Sequence, residues 1–93
     1  MPRQQLVPVG FGSVVVGRRV VAVLNPAGSS ARRLRDDHRD RGLLVDATQG
    51  RKTRSLLLLD TGHLLLSAVQ VDTVSQRLSK GRDPLEPGEE EAQ

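Results

Sequence analysis

The sequence predicts a small α+β domain in which an antiparallel β-sheet, built from hairpins, packs with two short helices. Short runs rich in valine and leucine alternate with glycine-containing turns, which is typical of β-hairpins. A charged stretch with helical spacing lies between two groups of such runs, and a second short helical pattern follows the last one. With 93 residues the chain suffices for one domain, which we expect at residues 1–80, followed by a tail at residues 81–93.

The N-terminal part is predicted to form strands at residues 6–9, 13–16 and 18–24, each rich in valine. Gly10-Phe11-Gly12 separates the first two strands and could begin a dinucleotide-binding fingerprint. The third glycine of that motif would fall on Val15, however, and a strand follows where a helix is required. We therefore interpret the two glycines as bending the chain between strands.

The charged stretch is predicted to be a helix that is capped by Ser29 or Ser30 and reaches Arg41. Gly42 suits the left-handed position just past the last turn. Charged side chains four residues apart are expected to pair along this helix, each pair contributing about 0.3 kcal/mol. The expected pairs are Arg32–Asp36, Arg33–Asp37 and Asp37–Arg41.

A basic loop follows this helix. Residues 43–45 are predicted to form a short strand and residues 46–50 to turn the chain, with Gly50 free to take positive φ. No acidic residue lies between Asp46 and Asp60, so the cations of this segment have no neighbour in sequence to pair with. The pattern indicates that the loop binds an anion outside the chain. The cations are Arg51, Lys52 and Arg54.

The most apolar strand and the one after it are predicted to form a hairpin, residues 55–60 and 63–70, closed around Thr61-Gly62. Their leucines are consecutive rather than alternating with polar residues, so both faces of the hairpin must be covered. The second cover is either another subunit or one helix on each face. A short helix at residues 71–80 is predicted to complete the domain. For a subunit interface the candidate leucines are Leu56, Leu58, Leu64 and Leu66.

Charge is distributed unevenly along the chain. The net charge is +3, but the tail holds five of the 11 acidic residues and one of the 14 basic residues. The remaining six acidic and 13 basic residues give residues 1–80 a net charge of +7. A basic body is expected to bind a polyanion, although the same charge also fits an ordinary solvated surface. The tail has the composition of a disordered segment, and we expect its acids to compete with phosphate for Arg51 and Lys52.

Several other function classes are disfavoured by composition. The chain has no cysteine, which excludes disulfides and thiolate metal sites, and its two histidines have no convergent ligand set. We therefore expect no metal, cofactor or small-molecule ligand. No apolar run approaches the ~20 residues of a membrane span, so a cytoplasmic protein without membrane contact is expected. The single aromatic residue, Phe11, argues against single-stranded nucleic acid, because those sites usually stack bases on aromatic rings.

Asp60-Thr61-Gly62, preceded by leucines, matches the catalytic motif of homodimeric aspartic proteases. That chemistry requires two facing carboxylates, one from each subunit. His63 stands where those enzymes carry a small residue, and the loosely similar Gly81-Arg82-Asp83 follows too soon to leave room for a flap. A hairpin turn is the better interpretation, and we do not expect an enzyme.

Six segments, in order from about Val7 to Leu78, form a recognisable pattern. They are Gly10-Phe11-Gly12, Arg39-Asp40-Arg41-Gly42, Asp46-Ala47-Thr48-Gln49-Gly50-Arg51-Lys52-Thr53-Arg54, Asp60-Thr61-Gly62-His63, Leu66-Ser67-Ala68-Val69-Gln70 and Thr73-Val74-Ser75-Gln76-Arg77-Leu78. This pattern resembles that of the RemA family, the bacterial extracellular matrix regulatory proteins. The resemblance implies a DNA-binding transcriptional regulator whose subunit has a LytTR-like α+β fold. It also implies a ring-shaped homo-oligomer that engages double-stranded DNA through basic residues and regulates extracellular matrix or biofilm genes.

The resemblance carries functional positions onto this chain. DNA-contacting positions of the family fall on Arg19, Arg51 and Lys52, where Lys52 replaces the more usual arginine. Ser30 stands where proline is typical, at a position linked to subunit packing, and Gln49 replaces a usual tyrosine. The alternative function is a scaffold, associated with the nucleoid or with RNA, that binds nucleic acid without sequence preference. The full candidate set for DNA binding is Arg18, Arg19, Arg32, Arg51, Lys52 and Arg54.

Overall fold

The computed structural model of the chain describes residues 5–80. It contains six strands, two helices and a single 3-10 turn at Gly17–Arg19, which confirms the α+β class and the number of helices. The predicted disorder of the tail at residues 81–93 concerns residues outside this range and stays a prediction, as does the LytTR-like character of the fold. The elements are β1 (Leu6–Gly10), β2 (Ser13–Val16), β3 (Val20–Leu24), α1 (Ser29–Asp40), β4 (Leu44–Asp46), β5 (Ser55–Leu59), β6 (Leu64–Ser67) and α2 (Val71–Ser79).

The strands form two sheets rather than one antiparallel sheet, so that part of the prediction is wrong. β1 and β2 form a separate two-stranded hairpin, and the larger sheet has the order β3-β5-β6-β4. β4 runs parallel to β6, whereas the other neighbours are antiparallel. The reason is the connection through α1, which crosses from β3 on one edge of the sheet to β4 on the other. Such a helical crossover returns the chain in its original direction, which a hairpin cannot do.

The fold has two distinct ends, set by the direction of β5. At the loop end lie the loop of residues 47–54, which leads into β5, and the β1–β2 tip at Phe11, which is hydrogen-bonded to Gln49. At the turn end lie the 3-10 turn and the β5–β6 turn, where the Asp60 amide donates to the Arg19 carbonyl oxygen at 2.8 Å. Arg18 and Arg19 therefore belong to a turn and not to the strand predicted at residues 18–24.

The central β5–β6 hairpin is covered on both faces by the chain itself. On one face, Leu57 and Leu65 pack in a cluster with valines of the β1–β2 hairpin and Val74 of α2. On the other face, Leu56 and Leu64 are fully buried. The sequence predicts these two leucines as interface residues, but they have no accessible area left to bury against a second copy. Leu58 and Leu66, the other two candidates, are half-buried.

Helix α1 has the predicted length but differs in its details. It starts from Gly28, at φ 101°, without a side-chain cap from either serine, because the chain turns at the glycine. It ends as predicted, with Gly42 at φ 75° and the Leu43 amide bonded to the His38 carbonyl oxygen. Among the described residues, no helix is long and apolar enough to cross a membrane.

The ion pairs of α1 are only partly those predicted. Asp37 pairs with Arg41 at 3.5 Å, as expected. Asp36 pairs with Arg39, three residues away, at 2.8 Å, rather than with Arg32. The predicted pairs of Arg32 and Arg33 are therefore wrong, because both aspartates pair instead with arginines on their C-terminal side.

A buried pair of serines joins the N-terminal hairpin to the larger sheet. Ser55 and Ser67 face each other across β5 and β6, and both are fully buried. The Ser55 hydroxyl donates to the Val69 carbonyl oxygen at 2.7 Å. The Ser67 hydroxyl donates to the Val9 carbonyl oxygen at 2.8 Å and accepts from the Val69 amide at 3.0 Å. These bonds fix the position of β1 and, with it, of the hairpin tip.

Replacing Ser67 with alanine should destabilise the fold, because the Val9 carbonyl and the Val69 amide would lose their partner in a buried site. A cost of about 1–3 kcal/mol is expected. Each kcal/mol lowers Tm by roughly 4–8 °C in a domain of this size, which thermal unfolding followed by circular dichroism would detect. Ser79→Ala is the matched control, since Ser79 is exposed. Equal Tm values for the two variants would show that the Ser67 hydrogen bonds do not stabilise the attachment of the N-terminal hairpin to the larger sheet.

Candidate nucleic-acid interface

The basic loop is built around a tight turn from Thr48 to Arg51. The Arg51 amide donates to the Thr48 carbonyl oxygen at 3.1 Å, and the two central residues, Gln49 and Gly50, have φ of 53° and 81°. Positive φ at both central residues is the signature of a type I′ turn. Glycine adopts this conformation freely, but glutamine does so at a cost of order 1 kcal/mol. The turn is therefore held by contacts beyond its own backbone.

Asp46 supplies one of these contacts from the start of the turn. Its carboxylate accepts hydrogen bonds from the Thr48 hydroxyl at 2.6 Å and from the Thr48 amide at 2.9 Å. Both bonds favour the ionised form and lower the pKa of Asp46 below its usual value of 3.8. The carboxylate nearest in sequence to the loop cations is thus engaged by Thr48.

The tip of the β1–β2 hairpin supplies the second set of contacts. The Gln49 side-chain amide donates to the Phe11 carbonyl oxygen at 3.0 Å, and the Arg51 guanidinium lies 3.6 Å from the centroid of the Phe11 ring. Phe11 itself has φ 46°, an unusual value for an aromatic residue, and its side chain is half exposed. The loop and the hairpin tip therefore hold each other in place.

Lys52 and Arg54 lie next to Arg51 and line a shallow cleft. The Arg54 amide donates to the Ser67 carbonyl oxygen at 2.7 Å, which fixes the backbone, while its side chain stays exposed. Within residues 5–80, neither Lys52 nor Arg54 makes an ion pair. The cleft also includes the segment before α1 and the start of α2, which has no side-chain cap and carries one acidic residue, Asp72. Its lining residues are Asn25, Pro26, Ala27, Lys52, Thr53, Arg54, Gln70, Val71 and Asp72.

The two halves of the predicted DNA-binding set are not brought together in one subunit. Arg51, Lys52 and Arg54 lie at the loop end, which also holds the N-terminal end of α1 near Arg32. Arg18 and Arg19 lie at the turn end. Six residue steps along β5 separate Arg54 from Asp60, which corresponds to about 20 Å. All six candidate side chains are exposed.

Arg19 differs from the loop cations because it has a carboxylate partner. Its guanidinium lies 3.2 Å from the Asp60 carboxylate, and the two side chains are 55% and 42% exposed. An ion pair this exposed contributes little to stability, so Arg19 can exchange Asp60 for another anion at small cost. Arg18, on the same turn, makes no ion pair within the described residues.

Asp60, the candidate protease carboxylate, lies in an ordinary hairpin turn. The Gly62 amide donates to the Leu59 carbonyl oxygen at 3.0 Å, and Gly62 has φ 94°. The carboxylate faces Arg19, whereas aspartic protease chemistry requires it to face a second carboxylate. Gly81-Arg82-Asp83 lies outside the described residues. Among residues 5–80, no three histidine, aspartate or glutamate side chains gather as a metal site would require.

Phe11 and Gln49 join the hairpin tip to the basic loop, which the sequence does not predict. In the sequence, Phe11 belongs to a glycine-flanked turn and argues against single-stranded nucleic acid, and Gln49 replaces a usual tyrosine, but neither indicates a contact between the two segments. The one signal for their role is a lone aromatic residue placed between two glycines in a basic chain. That signal does not identify the partner, because Arg51 is 40 residues away in sequence.

Comparison with known proteins identifies the family. The family profile for RemA-like proteins, described as extracellular matrix regulatory protein A-like, matches residues 6–78. The chain belongs to the RemA-like family. The matched region includes both the loop-end cations and the hairpin tip, and it stops before the acidic tail.

Curated bacterial proteins of similar length match the chain closely. A protein of Oleidesulfovibrio alaskensis is 56% identical over 77 residues, covering 83% of this chain and 92% of its own. One of Nitratidesulfovibrio vulgaris is 57% identical over 77 residues, covering 83% and 88%. One of Moorella thermoacetica is 46% identical over 86 residues, covering 92% and 93%. Each carries the name "Putative regulatory protein".

The lowered pKa of Asp46 predicts how this RemA-like loop responds to acid. Because the folded state favours the carboxylate, its contribution to stability is complete above the unfolded pKa and is lost as pH falls through the folded pKa. Asp46→Asn should therefore have a lower Tm than the wild type at pH 6. The difference should shrink as pH falls from about 4 towards 2, which calorimetry at several pH values would measure.

Thr48→Val, which removes the hydroxyl donor and keeps the shape of the side chain, is the matched variant for this prediction. It should show a smaller dependence of Tm on pH than the wild type over the same range. A constant Tm difference between the wild type and Asp46→Asn from pH 6 to pH 2 would show that ionisation of Asp46 does not stabilise the turn.

Proposed function

We propose that this protein is a DNA-binding transcriptional regulator that acts as a ring-shaped homo-oligomer and targets extracellular matrix genes. The observation that carries the proposal is the loop end, where exposed cations stand on a backbone fixed by the Thr48–Arg51 turn and by the hairpin tip. Within the described residues none of Arg51, Lys52 and Arg54 has a carboxylate partner. A DNA duplex supplies the missing anions as a regular array of phosphates.

Phosphate contact is the chemistry that these residues suit best. Each lysine or arginine placed at a phosphate releases condensed counterions, which gives affinity that falls steeply with salt. Sequence preference would then come from the bendability of the duplex and from any base contact by an arginine fork. Arg51 is the best candidate for such a fork, because its guanidinium is planar and oriented, whereas Lys52 offers a point charge.

The family supports a regulatory role rather than an enzymatic one. Membership in the RemA-like family and the names of the curated relatives both refer to regulation. In the fold, Asp60, the protease candidate of the sequence, is engaged by Arg19. Extracellular matrix genes as targets rest on the family description alone.

Oligomerisation is supported by apolar surface that a single subunit leaves exposed. The β1–β2 hairpin is apolar on both faces, and only the face with Val7, Val9 and Val15 is buried. On its outer face, Leu6 is 61% exposed and Val14 is 55% exposed. Burial of this face against a second copy is favourable at about 25 cal/mol per Å² of apolar area. Other exposed candidates for the interface are Val21, at the β3 edge, and Ser30, at the start of α1.

A ring would also join the two basic ends. Within one subunit, Arg18 and Arg19 are about 20 Å from the loop-end cations along β5. Neighbouring subunits that place one subunit's turn end beside the next subunit's loop end would form a continuous basic track. Binding to one duplex through several subunits then multiplies the contribution of each contact.

The alternative, a scaffold that binds nucleic acid without sequence preference, uses the same cations and is distinguished by selectivity. Selection from a pool of random duplexes should enrich a motif if the protein is a regulator. A structured RNA added as competitor should then be much weaker than the enriched duplex. Failure to enrich any motif, together with equal binding of duplex and RNA, would favour the scaffold.

Arg51→Ala should abolish measurable duplex binding at physiological salt. Every subunit that touches the duplex then neutralises one phosphate fewer, and the slope of log K against log salt should fall by about 0.9 for each such phosphate. Fluorescence anisotropy with a labelled duplex, at several salt concentrations, measures both quantities. Oligomer mass should stay unchanged and Tm should fall by a few degrees at most, because Arg51 has no carboxylate partner in the described residues and its exposed cation–π contact with Phe11 contributes only about 0.5–1 kcal/mol.

Arg33→Ala is the matched control for this variant. Arg33 is also an exposed arginine without an ion pair in the described part of the chain, but it lies on α1 and outside the candidate set. Its duplex affinity should stay close to that of the wild type. If Arg33→Ala loses binding and Arg51→Ala retains it, the DNA-binding surface is on α1 and not at the loop end.

Light scattering at micromolar concentration should give a mass that is a multiple of 10.1 kDa. Val14→Lys should lower this mass while keeping the far-ultraviolet circular dichroism spectrum, because Val14 is exposed in the single subunit and its side chain has no place in the core. Gln76→Lys, which adds the same charge on an exposed face of α2, should keep the wild-type mass. A wild-type protein with only the monomer mass would rule out the ring.

A further inference from the structure

We propose that Phe11 is a positioning residue for DNA binding, whose ring holds the Arg51 guanidinium in the orientation that receives the duplex. This role rests on the proposed DNA-binding function and adds an uncharged residue to it. The charge pattern of the sequence does not predict it, since Phe11 lies at the tip of the β1–β2 hairpin, whereas Arg51 lies in the β4–β5 loop, 40 residues later.

The geometry of the stack leaves the useful part of Arg51 free. The centre of the guanidinium lies 3.6 Å from the Phe11 ring centroid, a distance at which the cation is stacked on the face of the ring. A guanidinium is planar, and its five N–H donors point outwards in that plane. Stacking on the face therefore uses no donor, whereas an ion pair with a carboxylate would. Arg51 is oriented and still able to grip a phosphate or a base edge with two donors.

Phe11 is itself fixed in place at some cost to the backbone. It has φ 46°, between glycines at φ 119° and 86°. The side-chain amide of Gln49, a residue that also has positive φ, donates to its carbonyl oxygen. Phe11 and Gln49 are thus two non-glycine residues in the left-handed region that are joined by a hydrogen bond. Both strained backbone positions therefore lie at the same place on the surface. Such strain persists only where surrounding contacts determine the conformation, and it concentrates at binding sites.

The expected effect on affinity is moderate. An exposed cation–π contact favours the stacked over the unstacked Arg51 by roughly two- to fivefold. Removing the ring should therefore lower the affinity for the duplex by the same factor for each Arg51 that contacts it. A ring-shaped oligomer that engages a duplex through several subunits multiplies this factor. The number of neutralised phosphates does not change, since Arg51 still reaches its phosphate. The salt dependence of binding should therefore be preserved.

A double-mutant cycle between Phe11 and Arg51 tests the proposal. Phe11→Leu, which keeps an apolar side chain with the same backbone strain, should weaken duplex binding at least twofold and leave the salt slope unchanged. Phe11→Tyr keeps the ring and should bind as the wild type does. In the Arg51→Ala background, measured at low salt, Phe11→Leu should weaken binding no further. Tm of every variant should be measured, so that a loss of fold is separated from a loss of binding.

A tryptophan at position 11 reports on the stack without DNA. The chain contains no tryptophan or tyrosine, so Phe11→Trp introduces a single fluorophore at the stacking position. In the absence of DNA, its emission should differ between the single variant and the double variant with Arg51→Ala, because the guanidinium leaves the ring. Addition of duplex should change the emission of the single variant only.

Each other outcome overturns the proposal in a distinguishable way. Wild-type affinity in Phe11→Leu, with binding abolished in Arg51→Ala, shows that the ring does not position the cation. An equal decrease from Phe11→Leu in both backgrounds shows that Phe11 contacts DNA directly. Weak binding by Phe11→Tyr and Phe11→Trp, in folded protein, shows that the ring is not the feature that matters. If the wild type binds no duplex while the tryptophan emission still responds to Arg51→Ala, the stack exists but the proposed function fails, and the positioning role fails with it.

Discussion

The structure depends on one constraint, which is that the β5–β6 hairpin is apolar on both faces. Leu57 and Leu65 point to one side, and Leu56 and Leu64 to the other, and all four are buried. On the face of Leu57 and Leu65 the chain places the β1–β2 hairpin and α2, while α1 carries the chain from one edge of the larger sheet to the other. The crossover of α1 delivers β4 parallel to β6 and brings the following loop to the start of β5. The position of the basic loop is thus a consequence of how the core is covered.

Features encoded by a few adjacent residues could be predicted from the sequence, and features that join distant segments could not. The extent of α1, the left-handed Gly42 and Gly50, and the hairpin turn at Gly62 all follow from local chemistry and are observed. The parallel pairing of β4 depends on the path of a crossover. The hydrogen bond of Ser67 depends on the carbonyl oxygen of Val9, 58 residues earlier. At the candidate site, the sequence predicts the cluster of loop cations. It does not predict the contacts of this loop with the hairpin tip at Phe11. For Leu56 and Leu64, alternation rules identify the apolar face without saying which element covers it, so the sequence leaves a second subunit and a helix as alternatives.

The arrangement of the acidic residues explains why charge remains available at the loop end. Asp36 and Asp37 pair with arginines on their own helix, and Asp60 pairs with Arg19 at the turn end. Asp46, the acid nearest to the loop cations in sequence, accepts two hydrogen bonds from Thr48, and these lower its pKa. Four of the six acids in residues 5–80 therefore have partners other than the loop cations, and of the remaining two only Asp72 lies in the cleft of Lys52 and Arg54. Arg51 is oriented by an aromatic ring instead of a carboxylate. Within residues 5–80, no neighbouring negative charge therefore offsets its charge, and its N–H donors stay free.

For the proposed DNA-binding function, the distance between the two basic ends would make a single subunit an incomplete DNA-binding unit. Duplex DNA rises about 3.4 Å per base pair, so the ~20 Å between Arg19 and the loop end spans roughly six base pairs. A small number of phosphate contacts over that length gives only weak binding at physiological salt. Each contact gains affinity by releasing counterions, and this gain falls as the salt concentration rises. Repetition of the same contacts around an oligomer converts weak local binding into strong binding to one duplex, provided that the spacing of subunits matches the curvature of the DNA. Under that condition the rigidity of each contact matters more than its individual strength, since every subunit must present its cation in the same place. A turn held by Asp46, Gln49 and Phe11 provides that rigidity.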